Sequence, residues 1–125
     1  MKSSRPVFLN LFVIRLPVGA VVSFLHRVSG VALFGASFYL LWLLWLSTWN
    51  TSSFDQLQTM LEHPLHSIAL WLTLSVLGYH IVAGVRHLLL DLHIGDSLKI
   101  GRVSAVLVLV CSVALSMAIG VWFWF

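Results

Sequence analysis

The chain has 125 residues, of which 60% are hydrophobic and 9% are charged, and its net charge is +3. An ordinary soluble domain is about 25% charged, and a domain of this length buries only about 60–70% of the surface that it exposes when unfolded. These proportions exclude a soluble enzyme, a disordered chain and a collagen-like protein. They indicate a single integral membrane domain, residues 1–125.

The first predicted elements are an N-terminal segment, residues 1–16, and a long apolar run. Phe8–Leu16 mixes apolar and polar residues, which is typical of a segment that lies on the membrane surface or touches a soluble partner. Val28–Phe54 contains no Asp, Glu, Lys or Arg and exceeds the roughly 20 residues that a helix needs to cross a bilayer. Proline suits the first turn of a helix, so we expect this helix to begin near Pro17 and to cover about 18–48.

Two further charge-free runs predict two further spans. They are Pro64–Val85 and Val103–Phe125, and we expect helices over about 65–92 and 102–124. Strands of a membrane barrel are only about 9–11 residues long, so the three spans are helices. The sequence therefore predicts an all-α integral membrane protein with three transmembrane helices, joined first by a loop and then by a short polar turn.

The third span has a face of small residues, which is typical of close helix packing. Ser112, Ser116 and Gly120 recur at four-residue spacing along it. Cys111, the lone cysteine, is expected to be buried there as a small apolar residue. One thiol excludes an intrachain disulfide, and it excludes an iron–sulfur cluster held by this chain alone, since such clusters need about four thiolates. Redox chemistry would need a cofactor held by histidine, or a partner chain.

The charge distribution predicts the orientation. The basic residues lie before the first charge-free run and between the second and third such runs: Lys2, Arg5, Arg15, Arg27, Arg86, Lys99 and Arg102. The first loop carries Asp55 and Glu62 but no Lys or Arg. The positive-inside rule places the N-terminus and the second loop in the cytoplasm, and the first loop and the C-terminus in the periplasm. Basic residues at membrane boundaries do not indicate nucleic-acid binding.

The tryptophans and the N-terminal composition complete this topology. Five tryptophans cluster at the predicted outer interface, as an aromatic belt requires: Trp45, Trp49, Trp71, Trp122 and Trp124. The chain shows no Arg- and Ser-rich presequence, which favours a bacterial inner membrane.

A polar cluster lies at the cytoplasmic end of the first span. Polar residues are unexpected inside a membrane, because a charge at the centre of a helix costs about 2.5–3.5 kcal/mol there. The cluster consists of Ser23, His26, Arg27, Ser29 and Gly30. Ser23 and Arg27 are four residues apart and share one helix face. The fixed fork of donors on an arginine suits a carbonyl or a carboxylate. The alternative is that Arg27 is only a topology anchor that extends to the headgroups.

A second polar cluster lies in the cytoplasmic half of the second span. It consists of Tyr79, His80, Gly84, Arg86, His87 and Asp91. His80 is the deepest histidine, and Gly84 and His87 share its helix face. An imidazole can ligate heme iron, and a neighbouring glycine leaves room for a flat macrocycle. The alternative is a neutral histidine that bonds to a neighbouring helix.

Both clusters match known motifs. Ser23-Phe-Leu-His26-Arg27-Val-Ser29-Gly30 fits S-x-x-H-R-x-[ST]-G, and the segment from His80 to Asp91 fits H-x-x-x-G-x-R-H-x-x-x-D. With these motifs in order on the predicted helices, the chain resembles the cytochrome b membrane-anchor subunit of succinate dehydrogenase, respiratory complex II. The resemblance covers nearly the whole chain.

The resemblance implies a role for several residues. His80 would be an axial ligand of heme b, and a second small anchor subunit would supply the other axial ligand. The three helices would then form half of a heme-binding bundle. Ser23 and Arg27 would line the site of ubiquinone, the substrate. The neighbours of the heme propionates or pocket would be His26, Arg27, Arg86 and His87.

The resemblance also implies the partners and the reaction. The chain would dock a flavoprotein subunit and an iron–sulfur subunit as part of succinate:ubiquinone oxidoreductase, with no complete active site and no catalytic residue of its own. Two alternatives stay open at this point. One is the anchor subunit of a quinol:fumarate reductase, and the other is an assembly or packing subunit without a cofactor.

Overall fold

A computed structural model describes residues 16–124. It contains four helices: α1 (Val18–Trp49), α2 (Thr51–Glu62), α3 (Pro64–Asp91) and α4 (Leu98–Trp124). Three of them, α1, α3 and α4, are long and apolar enough to cross a membrane. The prediction of an all-α membrane protein with three spans is thus confirmed. The expected surface segment lies outside the described residues, apart from Leu16.

Pro17 sets the start of α1. Its carbonyl accepts hydrogen bonds from the backbone N–H groups of Ala20 at 2.9 Å and Val21 at 3.2 Å. Proline lacks a backbone N–H and has a fixed φ, so it suits the position where a helix begins. α1 therefore begins at Val18.

The connection between the first two spans is a helix, where we expected a loop. Asn50 begins it, because its Oδ1 accepts a hydrogen bond from the Ser53 N–H at 2.8 Å, as is typical of an N-cap. Leu57 of α2 is buried against Leu43 and Leu46 of α1, while Asp55 on α2 is exposed. A short amphipathic helix of this kind is typical of a membrane interface. It is too short and too polar to be found by a search for apolar runs.

α3 ends in a turn that carries two residues with positive φ. The N–H of Ile94 bonds to the carbonyl of Leu89, and the N–H of His93 to that of Leu90, both at 2.9 Å. This pair of bonds is a Schellman motif, which needs a left-handed residue after the helix. His93 takes that place with a φ of 59°, and Gly95 follows with a φ of 79°.

α4 begins at Leu98, which is earlier than the expected start at 102. Ser97 explains the difference, because its carbonyl accepts from the N–H of Gly101 at 2.7 Å and its Oγ from the N–H of Ile100 at 3.4 Å. A serine in this role is a favoured N-cap. The end of a charge-free run therefore does not mark the end of a helix.

The three spans meet in a core of small and β-branched side chains, namely Val22, Ala83, Ala105 and Val108. Small residues allow the helix backbones to approach closely. The predicted small-residue face of α4 is confirmed, since Ser112 and Gly120 are buried. The prediction for Cys111 is wrong, because this residue is exposed. Its neighbour Ser112 faces the core, and because consecutive helical residues lie about 100° apart, Cys111 faces away from it.

The aromatic residues of α3 and α4 meet at one end of the bundle. The Trp71 ring lies 5.7 Å from that of Trp124, and Trp71 Nε1–H donates to the carbonyl of Ser116 at 3.0 Å. Ser75 and Ser116 bond through their hydroxyls at 2.8 Å. The opposite end of the bundle holds the polar clusters.

Candidate functional site

α1 and α3 bring three imidazoles into one stack. The ring of His26 lies between the rings of His80 and His87, with centroids 4.1 Å from the first and 4.8 Å from the second. The planes differ by only 16° and 20°. His80 and His87 therefore share a face of α3, as their spacing predicts, and α1 supplies the ring between them. We call these three residues the histidine stack.

Two glycines allow the histidine stack to form. A Cβ on Gly84 would lie 3.3 Å from Nε2 of His26, and a Cβ on Gly30 would lie 3.2 Å from Cε1 of His80. Gly84 thus leaves room for the His26 ring in this structure. We had expected that room to serve a macrocycle beside His80.

Ser29 connects the two helices at the centre of the site. It is only 6% exposed, and its Oγ donates to the carbonyl of His26 at 2.7 Å. The same oxygen lies 2.8 Å from Nδ1 of His80. Nε2 of His80 has no hydrogen-bond partner within residues 16–124, so one nitrogen of this ring is held and the other is open.

Ser23 and His87 form a second connection between α1 and α3. Nδ1–H of His87 donates to the carbonyl of Ala83 at 2.7 Å, because a carbonyl can only accept. Nε2 of a neutral His87 then accepts from the Ser23 hydroxyl at 3.2 Å. The Ser23 hydroxyl is therefore directed at α3 in this structure.

The two arginines of the motifs differ in their surroundings. Arg27 is exposed and bonds to none of the other residues from 16 to 124. Arg86 is 9% exposed; its Nε–H donates to Oγ of Ser104 at 3.0 Å and its Nη2–H to the carbonyl of Gly101 at 3.1 Å. Arg86 thus fastens α3 to α4, while Arg27 is available to a ligand or a partner.

Tyr79 is a further contact that the sequence did not predict. Its hydroxyl donates to the carbonyl of Val22 at 2.8 Å. The sequence cannot reveal this contact, because every residue has a backbone carbonyl. Asp91, at the end of α3, is exposed.

The histidines at the far end serve local structure. His63 accepts a hydrogen bond from the N–H of Leu65 at 3.3 Å and so caps α3. Nδ1 of His66 lies 3.0 Å from the hydroxyl of Tyr39. Neither residue joins the histidine stack.

Comparison with known proteins identifies the family. The family described as succinate dehydrogenase/fumarate reductase transmembrane subunit matches residues 1–119. The chain belongs to this family. The predicted resemblance to the cytochrome b anchor subunit of complex II is confirmed, and this transmembrane subunit is a multi-pass membrane protein.

Three relatives of this transmembrane subunit are each named succinate dehydrogenase cytochrome b556 subunit. The protein of Coxiella burnetii is 38% identical over 125 residues, which cover 99% of this chain and 100% of that protein. The protein of Rickettsia felis is 32% identical, with 95% of this chain and 93% of the relative covered. The protein of Paracoccus denitrificans is 29% identical, with 92% and 88% covered.

The transmembrane subunit has one buried polar side-chain atom without a partner, among the residues that the structure describes. This atom is Nε2 of His26. An unsatisfied buried polar group costs about 1–3 kcal/mol, and the protein itself covers this nitrogen. It lies in the same stack as His80, whose Nε2 is open. His80 therefore marks the candidate ligand site between α1 and α3.

Proposed function

We propose that this chain is the cytochrome b membrane anchor of a succinate:ubiquinone oxidoreductase and that His80 would hold the iron of its b-type heme. The observation that carries the proposal is the pair of nitrogens on His80, since Nδ1 is bonded to Ser29 and Nε2 has no partner within the described residues. Ligating histidines use one ring nitrogen for the metal and the other for a hydrogen bond. The bound heme would accept and release one electron at a time.

The surroundings of His80 fit a b-type heme. Nε2 of His26 is buried without a partner and, once uncovered, would bond a propionate. The exposed guanidinium of Arg27 adds positive charge at the same end of α1. His87 is the third ring of the histidine stack. Arg86 uses Nε and Nη2 for α4, which leaves Nη1 for a propionate or a partner.

A second small anchor subunit would complete the heme site. Within residues 16–124 no group of three or more His, Cys, Asp or Glu side chains is arranged to hold a metal ion, and His80 is the one deep histidine with an open nitrogen. That partner would supply the other protein ligand of the heme. On this proposal the three spans form half of a heme-binding bundle.

Arg27 and Ser23 would bind ubiquinone. Arg27 is exposed, and its guanidinium would stabilise the negative charge that develops on a quinone carbonyl during reduction. Ser23 lies one turn earlier on the same face. Its hydroxyl would donate to the quinone after rotating away from His87, to which the bond of 3.2 Å is long.

The flavoprotein and iron–sulfur subunits would dock at the polar end of the bundle. Exposed basic residues lie there, namely Arg27, Lys99 and Arg102. The positive-inside rule makes this end cytoplasmic, in a bacterial inner membrane. The chain itself would anchor those subunits and contribute to the heme and quinone sites of the enzyme.

The test is purification of the complex in mild detergent, followed by a dithionite-reduced-minus-oxidised spectrum. We expect a flavoprotein, an iron–sulfur protein, a second small anchor and a b-type spectrum. His80→Ala should abolish that spectrum, and the control His66→Ala should retain it, because His66 bonds to Tyr39 at the other end. An unchanged spectrum in His80→Ala would contradict the ligand assignment. A chain without heme or partners would favour the packing subunit.

A quinol:fumarate reductase is the second candidate, because the family description includes both enzymes. The names of the relatives favour succinate dehydrogenase. The two are distinguished by the rate of succinate oxidation with ubiquinone and the rate of fumarate reduction with a quinol, measured on the same purified complex.

A further inference from the structure

We propose that Ser29 is a positioning residue that fixes the proton of His80 on Nδ1, holds the Nε2 lone pair for iron and lowers the heme potential. The inference rests on the proposed ligation by His80. It concerns a residue to which neither the motif nor the family description assigns a role.

The serine hydroxyl has a single proton, and its position determines which atom is the donor in each bond. Ser29 Oγ lies 2.7 Å from the carbonyl of His26, which can only accept, so the proton of Ser29 lies on that bond. The same oxygen lies 2.8 Å from Nδ1 of His80. With its proton used, Ser29 can only accept there. Nδ1 of His80 must therefore be the donor, and a neutral His80 has its lone pair on Nε2.

The orientation of the His80 ring is fixed as well as its tautomer. His26 stacks on one face of the ring, with the centroids 4.1 Å apart. Gly30 allows Cε1 of His80 to approach the backbone of α1 closely, since a Cβ on Gly30 would lie only 3.2 Å from this atom. The bond to Ser29 fixes the rotation of the ring within this space. The stacking on His26 and the close approach to Gly30 restrict the plane of the His80 ring, and the bond to Ser29 leaves Nε2 as the open nitrogen.

Ser29 differs from an ordinary serine in a membrane helix. Such a serine donates to a carbonyl of its own helix and does nothing more, as Ser112 does to Val108 at 2.7 Å. Ser29 makes that bond and also accepts from a second helix. The two serines are similarly buried, at 6% and 8% exposed, so Ser112 is a matched control.

The acceptor on Nδ1–H has an electronic consequence for a bound iron. A hydrogen bond from Nδ1–H raises the basicity of the ligating nitrogen, and a more basic ligand stabilises ferric over ferrous iron. Removal of the acceptor should raise the midpoint potential of the heme. Loss of such a partner changes metal affinity by about 10–100-fold, and a tenfold loss of preference for the ferric state equals about 59 mV for one electron.

The experiment is a redox titration of the heme in the purified complex, together with the ratio of heme to flavin. We expect Ser29→Ala to raise the midpoint potential by about 59 mV, the shift for a tenfold effect, and to lower the heme content. Ser29→Thr, which keeps a hydroxyl, should restore both values toward wild type. Ser112→Ala should leave both unchanged.

The outcomes separate this inference from the ligand assignment. If His80→Ala keeps a b-type spectrum, the proposed ligation is wrong and the inference fails with it. If His80→Ala loses the spectrum while Ser29→Ala keeps the wild-type potential and heme content, the role of Ser29 alone is wrong. Should Ser29→Ala not assemble, Ser29→Cys takes its place, because a thiol is a weak acceptor of similar size. A wild-type potential in Ser29→Cys would also overturn the inference.

Discussion

Arg27 and Arg86 carry the same charge at the same end of the bundle, but they differ in burial and in hydrogen bonding. Arg86 is buried and bonds to Ser104 and Gly101 of α4. Arg27 is exposed. A residue that recognises a substrate must keep its donors free until the substrate arrives. Substitution of Arg27 should therefore change quinone reduction, and substitution of Arg86 should change the stability of the complex.

Arg27→Leu tests the proposed quinone contact. We expect succinate–ubiquinone reductase activity to fall about 100-fold, the usual loss when one group that stabilises developing negative charge is removed. Succinate oxidation with a soluble artificial acceptor should persist, because that reaction bypasses the membrane subunits. Both rates are measured on the same purified complex.

The control for Arg27→Leu is Arg27→Lys, since a lysine retains the positive charge at this exposed position. It should keep the quinone activity. If Arg27→Leu also keeps it, Arg27 is a topology anchor only.

At the scale of the helices, Arg86 makes two hydrogen bonds that join α3 to α4. Hydrogen bonds to a charged group contribute about 1.5–3 kcal/mol each, so Arg86→Met should destabilise the complex by about 3 kcal/mol while it keeps the apolar stem. The midpoint of thermal aggregation in detergent should fall. Arg86→Lys should restore little, because an ammonium cannot reproduce the fork of donors. Unchanged stability in Arg86→Met would indicate that these bonds do not hold the helices.

The turn between α3 and α4 depends on Gly95. Its φ of 79° is costly for residues with a Cβ, and a Cβ there would lie 3.1 Å from Cγ2 of Ile100. We expect Gly95→Ala to destabilise the protein by about 1–2 kcal/mol, measured as a lower midpoint of thermal aggregation. The control is Gly101→Ala, because Gly101 is helical and its nearest contact for a Cβ is at 3.9 Å. Equal midpoints for the two variants would contradict the strain argument.

The sequence predicts the spans well because hydropathy and length determine whether a helix can cross a membrane. It predicts the interfacial helix α2 poorly, since this helix depends on a cap at Asn50 and on the burial of Leu57 against α1. It also cannot set which residues of a uniformly apolar helix face inward. The exposed Cys111 beside the buried Ser112 is an example.

At the scale of the whole molecule, the site depends on the register of α1 against α3. Helical spacing predicts that His80 and His87 share a face, but it does not predict that His26 lies between their rings. That arrangement needs Gly30 and Gly84 at the points where the rings approach the backbone. The motifs include these glycines, so the residues could be found from the sequence, but their partners could not.

The exposed charges predict the orientation of the molecule in the membrane. Lys99 and Arg102 are exposed at the end of the bundle that holds the histidine stack, while the residues of α2 at the other end include no Lys or Arg. The positive-inside rule therefore places α2 on the outer side of the membrane. Gln56→Cys on α2 should react with a membrane-impermeant maleimide in intact spheroplasts, and Lys99→Cys only after permeabilisation.

Both substitutions are made in a Cys111→Ser background, because the native thiol is exposed in the middle of α4. The two substituted residues are exposed at opposite ends of the bundle, so each is the control for the reactivity of the other. The reverse labelling pattern would put the histidine stack near the outer surface. The soluble flavoprotein and iron–sulfur subunits could then not dock from the cytoplasm at the end where Arg27 is exposed, and the proposed quinone site would lose its electron donor.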